Sequence, residues 1–404
     1  MRPFFAFLRK HRSLLLFGIL LTFFSSYGQT FLISLYIPEL QKVFSFSSTE
    51  VSSLYAVATM ASAFTLPWVG RLVDTWALRR FTLFVLVGFT LACGVLSIAF
   101  HPVVVMLGVF GLRFFVQGFM RHTSISTMAR AFERDRGKAI SIATLGHPLG
   151  EAILPLLIAF LIGAVGWRTS LQLSGISLIM LVVPLVLLVL RKQDKRLLHP
   201  ALTEADTDKE EQASAKNPLR VFRERTFWTI APAVFIVGFL NTAIFFFQVK
   251  LGESRGWSAT WVAGSLSVFA ATSALAMMGS GPLVDRLTAR RLFPFMLIPF
   301  TLGVVLLAVV QPPVGYPVAL IFLALSHGAG STIKNALFAE VFGTKVIGTV
   351  RSVFTTVMVF STALGPVTFG VLLDAGWSYS AIFWAVAIVL VGIILWSARI
   401  SKAE

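Results

Sequence analysis

Arg113, Glu151 and Lys334 stand inside long apolar runs, where a lone charge is poorly tolerated. A guanidinium at mid-membrane costs at least about 2.5–3.5 kcal/mol unless it faces a partner or water. In LRFFVQGFMRH, Arg113, Gln117 and Arg121 fall at i, i+4 and i+8, one helical stripe expected to face the interior. An arginine there either serves function or staples neighbouring helices together. The stretch ISIATLGHPLGEAILP places His147 one turn before Glu151. Glu151 is the one acidic residue deep inside an apolar run, since Glu340 lies near the end of its run. Burial disfavours its ionised form and a nearby Arg113 would favour it, so its charge can follow its access to water. A proton carrier requires that property; a permanent Glu151–Arg113 pair is the structural alternative. His147 tunes this carboxyl, touches substrate or simply packs. Gly146, Pro148 and Gly150 are expected to bend this helix and admit close neighbours.

In LSHGAGSTIKNALFAE, His327, Ser331 and Lys334 occupy offsets 0, 4 and 7, one face of a helix. An intramembrane cation facing a cavity suggests an anionic ligand; a long stem that reaches the interface is the alternative. Gln29, Asn241 and Gln248 lie at similar depths and offer hydrogen bonds, to substrate or between helices. Phe245–Phe247 can line a cavity, and Gly365-Pro366 reads as a kink or gating point.

The elements that must position these residues follow from composition. The chain has 404 residues, 56% hydrophobic and 13% charged, whereas a soluble domain carries about 25% charged residues. Runs of roughly 20 apolar residues span a bilayer core, and the chain is largely made of them. An all-α membrane protein follows; the alternating ~10-residue segments of a β-barrel are missing from the pattern. The runs place twelve transmembrane helices near 13–36, 50–70, 81–100, 103–126, 139–163, 169–190, 227–249, 259–282, 292–310, 317–341, 346–373 and 378–398. The first is read as an uncleaved helix, because it is long and has no Ala-x-Ala site. Ser47-x-x-Glu50 is a capping box suited to the second. Residues 191–225 are dense in both charges and form a cytoplasmic linker between an N-terminal half, 1–190, and a C-terminal half, 226–404.

The net charge of +16 would suggest nucleic acid in a soluble protein, but here it reads as topology. Outside segments hold only Lys42, Arg168, Lys250 and Arg255, four cations lie within spans, and the rest of the 34 Lys and Arg fall on the inside. That bias puts both termini in the cytoplasm. Cys93 is the single cysteine, so there is no disulfide framework. No nucleotide-binding loop, metal cluster or nucleophile triad is present, which argues against an ATP-driven pump, an enzyme or a cofactor.

One loop occurs twice. Residues 70–81 read GRLVDTWALRRF and residues 281–292 read GPLVDRLTARRL, with Gly, Leu, Val, Asp, Arg and Arg at the same offsets. Each copy sits between apolar runs at an equivalent place in its half, the mark of an internal repeat. Gly70 and Gly281 leave room for a neighbouring helix. Asp74 and Asp285 suit backbone N–H groups at a facing helix N-terminus, and Arg79, Arg80, Arg290 and Arg291 can pair with them or with anionic lipid headgroups. The loop resembles the signature Gly-x-Leu-x-Asp-Arg-x-Gly-Arg-Lys/Arg of the major facilitator superfamily. Both copies depart from it: Ala77 and Thr288 replace the second Gly, and Thr75 replaces the first copy's Arg. The resemblance implies two pseudo-symmetric six-helix halves and a loop that latches one conformational state. It further relates Arg113-x-x-x-Gln117-Gly118 to the family's fourth-helix signature, tied there to proton coupling. More loosely, Arg136-Gly137 through Gly166-Trp167-Arg168 is similar to the monocarboxylate/oxalate branch.

These readings lead to a secondary active transporter, proton-coupled and carrying a small organic anion by alternating access. Arg113, Lys334 and His327 would attract the anion, Glu151 would carry or gate the proton, and the partners would be substrate, protons and lipid. A drug/proton antiporter for lipophilic cations is the alternative within transport; a non-transporting receptor or scaffold is the alternative outside it. Short loops favour a bacterial inner membrane, and a monomer is expected.

Overall fold

A computed structural model describes residues 2–70, 72, 76–132, 135–191, 219–343 and 346–402. Every regular element among them is helical, as hydrocarbon requires of a chain that satisfies its backbone groups within each crossing. The first span is α1 (Arg2–Phe24), a 3-10 turn (Ser25–Gly28), α2 (Thr30–Ile33), a second 3-10 turn (Ser34–Tyr36) and α3 (Ile37–Phe44). Next come α4 (Ser48–Gly70) and α5 (Leu78–Ser97). The fourth span joins α6 (Pro102–Gly111), a π-helical stretch (Leu112–Met120) and α7 (Arg121–Ala131). The fifth joins α8 (Arg136–Thr144) to α9 (Gly146–Val165), and α10 (Trp167–Arg191) is the sixth.

After the short helix α11 (Leu219–Phe222), the seventh and eighth spans are α12 (Arg225–Ser254) and α13 (Ala259–Leu287). The ninth combines α14 (Ala289–Leu292), a 3-10 turn (Pro294–Met296) and α15 (Leu297–Val309). The last three are α16 (Gly315–Phe342), α17 (Ile347–Asp374) and α18 (Tyr379–Ser397). Nine of these spans are individually long and apolar enough to cross a bilayer, and the first is a pair of segments bent by 53°. With α4 and α10 they make the twelve.

The single helix expected over 13–36 is therefore a broken span. Gln29 is extended, with φ −84° and ψ 152°, between the turn ending at Gly28 and the start of α2. The sequence places no proline there, and the cause is tertiary: the backbone of the fourth span presses on Gly28. The capping box at the second span closes as expected, with Ser47 N donating to Glu50 Oε2 at 2.8 Å and Glu50 N donating to Ser47 Oγ at 3.1 Å. Most of the charged linker lies outside the described residues.

The chain forms two compact units, Met1–Phe46 with Leu54–Leu202, and Ser47–Ser53 with Thr203–Glu404. In the first, Thr22 Oγ1 donates to Ala143 O, and Ser124 Oγ donates to Gly18 O at 2.9 Å. Those bonds join the first span to the fifth and fourth through small residues, the usual membrane solution. In the second, Phe227, Phe293, Phe338 and Phe354 form an aromatic core. Phe338 stacks on Phe354 with centroids 4.5 Å apart.

Candidate functional site

The first unit builds a polar cluster around the break in its first span. A Cβ on Gly28 would lie 2.5 Å from Leu112 O and 2.6 Å from Gln117 N, so only glycine lets the two backbones meet. The contact falls where the fourth span is π-helical, a winding often found at functional sites. Arg113 is 6% exposed. Its Nη1 donates to Gly28 O at 3.1 Å, and its guanidinium carbon lies 5.2 Å from the centre of the Tyr55 ring. Arg113 Nε is buried with no hydrogen-bond partner among the described residues. Gln117 Nε2 donates to Gln29 Oε1 at 3.3 Å, and the Tyr55 and Thr30 hydroxyls are 2.6 Å apart.

Thr30 and Tyr55 are members of this cluster that sequence reasoning missed. Neither is charged, and neither carries a motif. Of the stripe expected from the sequence, Arg113 is buried, Gln117 half-buried and Arg121 exposed.

Glu151 lies half-buried on α9. It makes no ion pair with Arg113 among the described residues; Gly28 and Tyr55 hold the guanidinium instead. Gly146 and Gly150 press α9 onto the first span. A Cβ on Gly146 would lie 2.8 Å from Phe23 N, and one on Gly150 would lie 2.5 Å from Phe23 O. The close packing expected of these glycines is present, and Leu145 between α8 and α9 keeps helical dihedrals of φ −60° and ψ −22°. His147 is half-buried, with its ring centre 6.4 Å from that of Phe31. Arg168 of the Gly-Trp-Arg stretch ties the start of α10 to the end of α5, donating to Ser97 O at 2.6 Å and Ala99 O at 3.0 Å.

The second unit builds its own polar cluster on α12 and α16. Asn241 Nδ2 and His327 Nδ1 are 2.8 Å apart, and Asn241 Oδ1 is buried without a partner among the described residues. The His327 ring lies 5.6 Å from Phe269, which in turn lies 5.0 Å from Phe245. The helix is regular from Gly315 to Phe342, so Ser331 and Lys334 follow His327 along one face. Ser331 Oγ donates to its own helix at Gly328 O, 2.8 Å away. Lys334 is half-buried, and no carboxylate lies within ion-pair distance of it among the described residues. Gln248 is glue: its Oε1 accepts from Tyr316 Oη at 3.0 Å, and both side chains are fully buried.

The repeated loop differs from expectation in its second copy. Asp285 is exposed. The acid that reaches a helix N-terminus is Glu340 of α16, whose carboxylate accepts from Ala289 N at 2.8 Å and Arg290 N at 3.1 Å. Arg290 Nη2 returns a bond to Glu340 O at 3.5 Å. Position along the apolar run hid this role, because Glu340 read as a residue near a membrane boundary. A Cβ on Gly281 would meet no atom within 4 Å, so the expected close approach is not made there. Arg291 is exposed.

In the first copy Gly70 ends α4, Asp74 lies outside the described residues, and Arg79 and Arg80 are exposed at the start of α5.

Thr288, which stands where the family pattern has glycine, adopts φ 66° and ψ 150°. That region is almost reserved for glycine and costs another residue about 1–3 kcal/mol. Thr288→Gly is therefore expected to stabilise the protein by about 1 kcal/mol or more. A rise in the thermal unfolding midpoint in detergent checks this.

The long apolar helices define a multi-pass integral membrane protein. Residues 18–366 and 265–403 match the profile of the Major Facilitator Superfamily, and the chain belongs to that family. No curated protein matches this sequence. Among solved structures, the nucleoside transporter NupG is similar with a TM-score of 0.74 at 13% identity, covering 97% of this chain and 100% of that one. A bacterial homolog of the human lysosomal transporter Spinster, inward-facing and unoccupied, has a TM-score of 0.72 at 14% identity. It covers 100% of this chain and 98% of that one. At such identities the likeness shows the fold alone.

Proposed function

We propose that the chain is a proton-coupled transporter of a small organic anion, working by alternating access in a bacterial inner membrane with both termini cytoplasmic. The observation that carries this reading is the state of its two intramembrane cations. Arg113 is buried with Nε unpartnered among the described residues, and Lys334 lacks a carboxylate there. A buried charge without a counter-ion is costly, and an anionic substrate supplies what each one lacks. Gln29, Gln117, Asn241 and His327 add hydrogen bonds of the kind that orient a bound carboxylate. Glu151, paired with neither cation among the described residues, is the proton-carrying group, and His147 stands one turn before it.

Protons and lipid are the further partners, and the protein acts as a monomer. The repeated loop, through Asp74, Arg79 and Arg80 in one copy and Asp285, Arg290 and Arg291 in the other, sets the balance between conformations. A drug/proton antiporter uses the same family machinery with the opposite substrate charge.

Proton flux in proteoliposomes of the pure protein separates the two. The panel holds small monocarboxylates, dicarboxylates, lipophilic cations and nucleosides, the last being the class named for one structural neighbour. A carboxylate that alkalinises its own compartment as it enters with a proton supports anion symport. Proton movement with lipophilic cations alone, in the opposite direction, replaces it with antiport. Nucleoside flux alone leaves the two cations without a substrate role.

A further inference from the structure

We propose that Asp374 is a carboxylate clasp which closes on the first turn of α4 and is released during the conformational cycle. Asp374 Oδ1 accepts from Ser48 N at 3.0 Å, and Oδ2 accepts from Thr49 N at 2.7 Å. The first backbone donors of a helix have no partner within it. At α4 the capping box satisfies Glu50 N through Ser47 Oγ, and Val51 N donates to Ser47 O at 3.2 Å. Ser48 N and Thr49 N remain, and the carboxylate takes both, from more than 300 positions away in the chain.

Local preference does not explain the aspartate. It is the last residue of α17, where the helix dipole disfavours a negative charge. The facing N-terminus of α4 compensates through charge-assisted bonds. Nor does the turn that follows require an acid. The seventh span ends Ser254-Arg255-Gly256-Trp257 and the eleventh ends Asp374-Ala375-Gly376-Trp377. Gly256 and Gly376 have φ of 71° and 86°, and in both turns the tryptophan N–H reaches back to the carbonyl five residues earlier, so the same turn forms after serine in one span and aspartate in the other. The helices are also fitted to each other one turn earlier, where a Cβ on Gly370 would lie 2.6 Å from both Ser48 O and Ser52 Oγ.

The clasp ties residues 47–53 to the compact unit that holds α17, whereas α4 continues from Leu54 into the other unit. Its bonds are exposed, so water replaces them when they part and the clasp biases an equilibrium without locking it. This role rests on the alternating-access reading, but its test needs no substrate.

Spin labels at Ser53→Cys and Trp377→Cys, in a Cys93→Ser background of the full chain in nanodiscs, report the separation of the two helix ends. Asp374→Ala is expected to enlarge the long-distance population about ten-fold. Ser48→Pro removes one donor at the first helical position, where proline suits the helix, and is expected to shift the distribution the same way. It also keeps the test open if Asp374→Ala folds poorly. Unchanged distances in both variants overturn the clasp, as does a shift in Asp374→Ala that Ser48→Pro does not reproduce. Flux measurements judge the transport reading separately: a chain that moves no substrate yet shows both shifts retains the clasp.

Discussion

Glu151→Gln is expected to abolish substrate-driven proton flux, by about a hundred-fold or more, while substrate binding persists. Glutamine keeps the volume and the acceptor oxygen of the side chain but carries no exchangeable acid proton. The structure makes this a sharp test, because Glu151 is half-buried on α9 and holds no ion pair with Arg113. A carboxylate paired to that guanidinium would stay ionised, and its replacement would damage packing more than proton movement. Since the pair is not formed, the loss should appear in coupling. Proteoliposomes loaded with a pH-sensitive dye read the proton, and a radiolabelled or competing anion reads binding. Proton uptake at the parental rate in the variant removes Glu151 from the pathway and leaves His147 as the remaining titratable group of that turn.

Lys334→Ala is expected to weaken anion binding by about 1.5–3 kcal/mol, roughly 10- to 150-fold. The estimate treats the ammonium as one charged hydrogen-bond donor to the ligand. Its position supports that treatment: the helix carrying it is unbroken from Gly315 to Phe342, and His327, about two turns away on the same face, already meets Asn241 at 2.8 Å. Calorimetry or competition binding on the same carboxylate panel measures the change, with lipophilic cations as the control. Equal weakening for cations and anions indicates a structural lysine. Lys334→Arg retains the charge, so it should recover part of the affinity if attraction is the cause and little of it if the fork misplaces the donors.

The sequence, taken alone, determined the features that depend on near neighbours and on bulk composition. Apolar runs of membrane-spanning length marked a helical membrane protein, and the Gly-x-Leu-Val-Asp repeat marked its family. The box of Ser47 and Glu50 is legible because its two residues sit three apart and act on each other's backbone. His327, Ser331 and Lys334 keep their common face because the helix beneath them is regular.

Tertiary structure decided the rest, wherever the deciding contact joins segments distant along the chain. The first span breaks at Gln29 because Gly28 meets the backbone of Leu112 and Gln117. The Glu151–Arg113 pair, the structural alternative for these two charges, is not formed, because Arg113 bonds to the Gly28 carbonyl at that break. Glu340, not Asp285, took the helix N-terminus after the second loop, and Asp374 took the one at α4. Each of these is a backbone group left unpaired by local geometry and satisfied by whichever polar side chain the packing of apolar helices brings near. Periodicity and propensity carry no record of that choice, because the residues that settle it are tens to hundreds of positions apart.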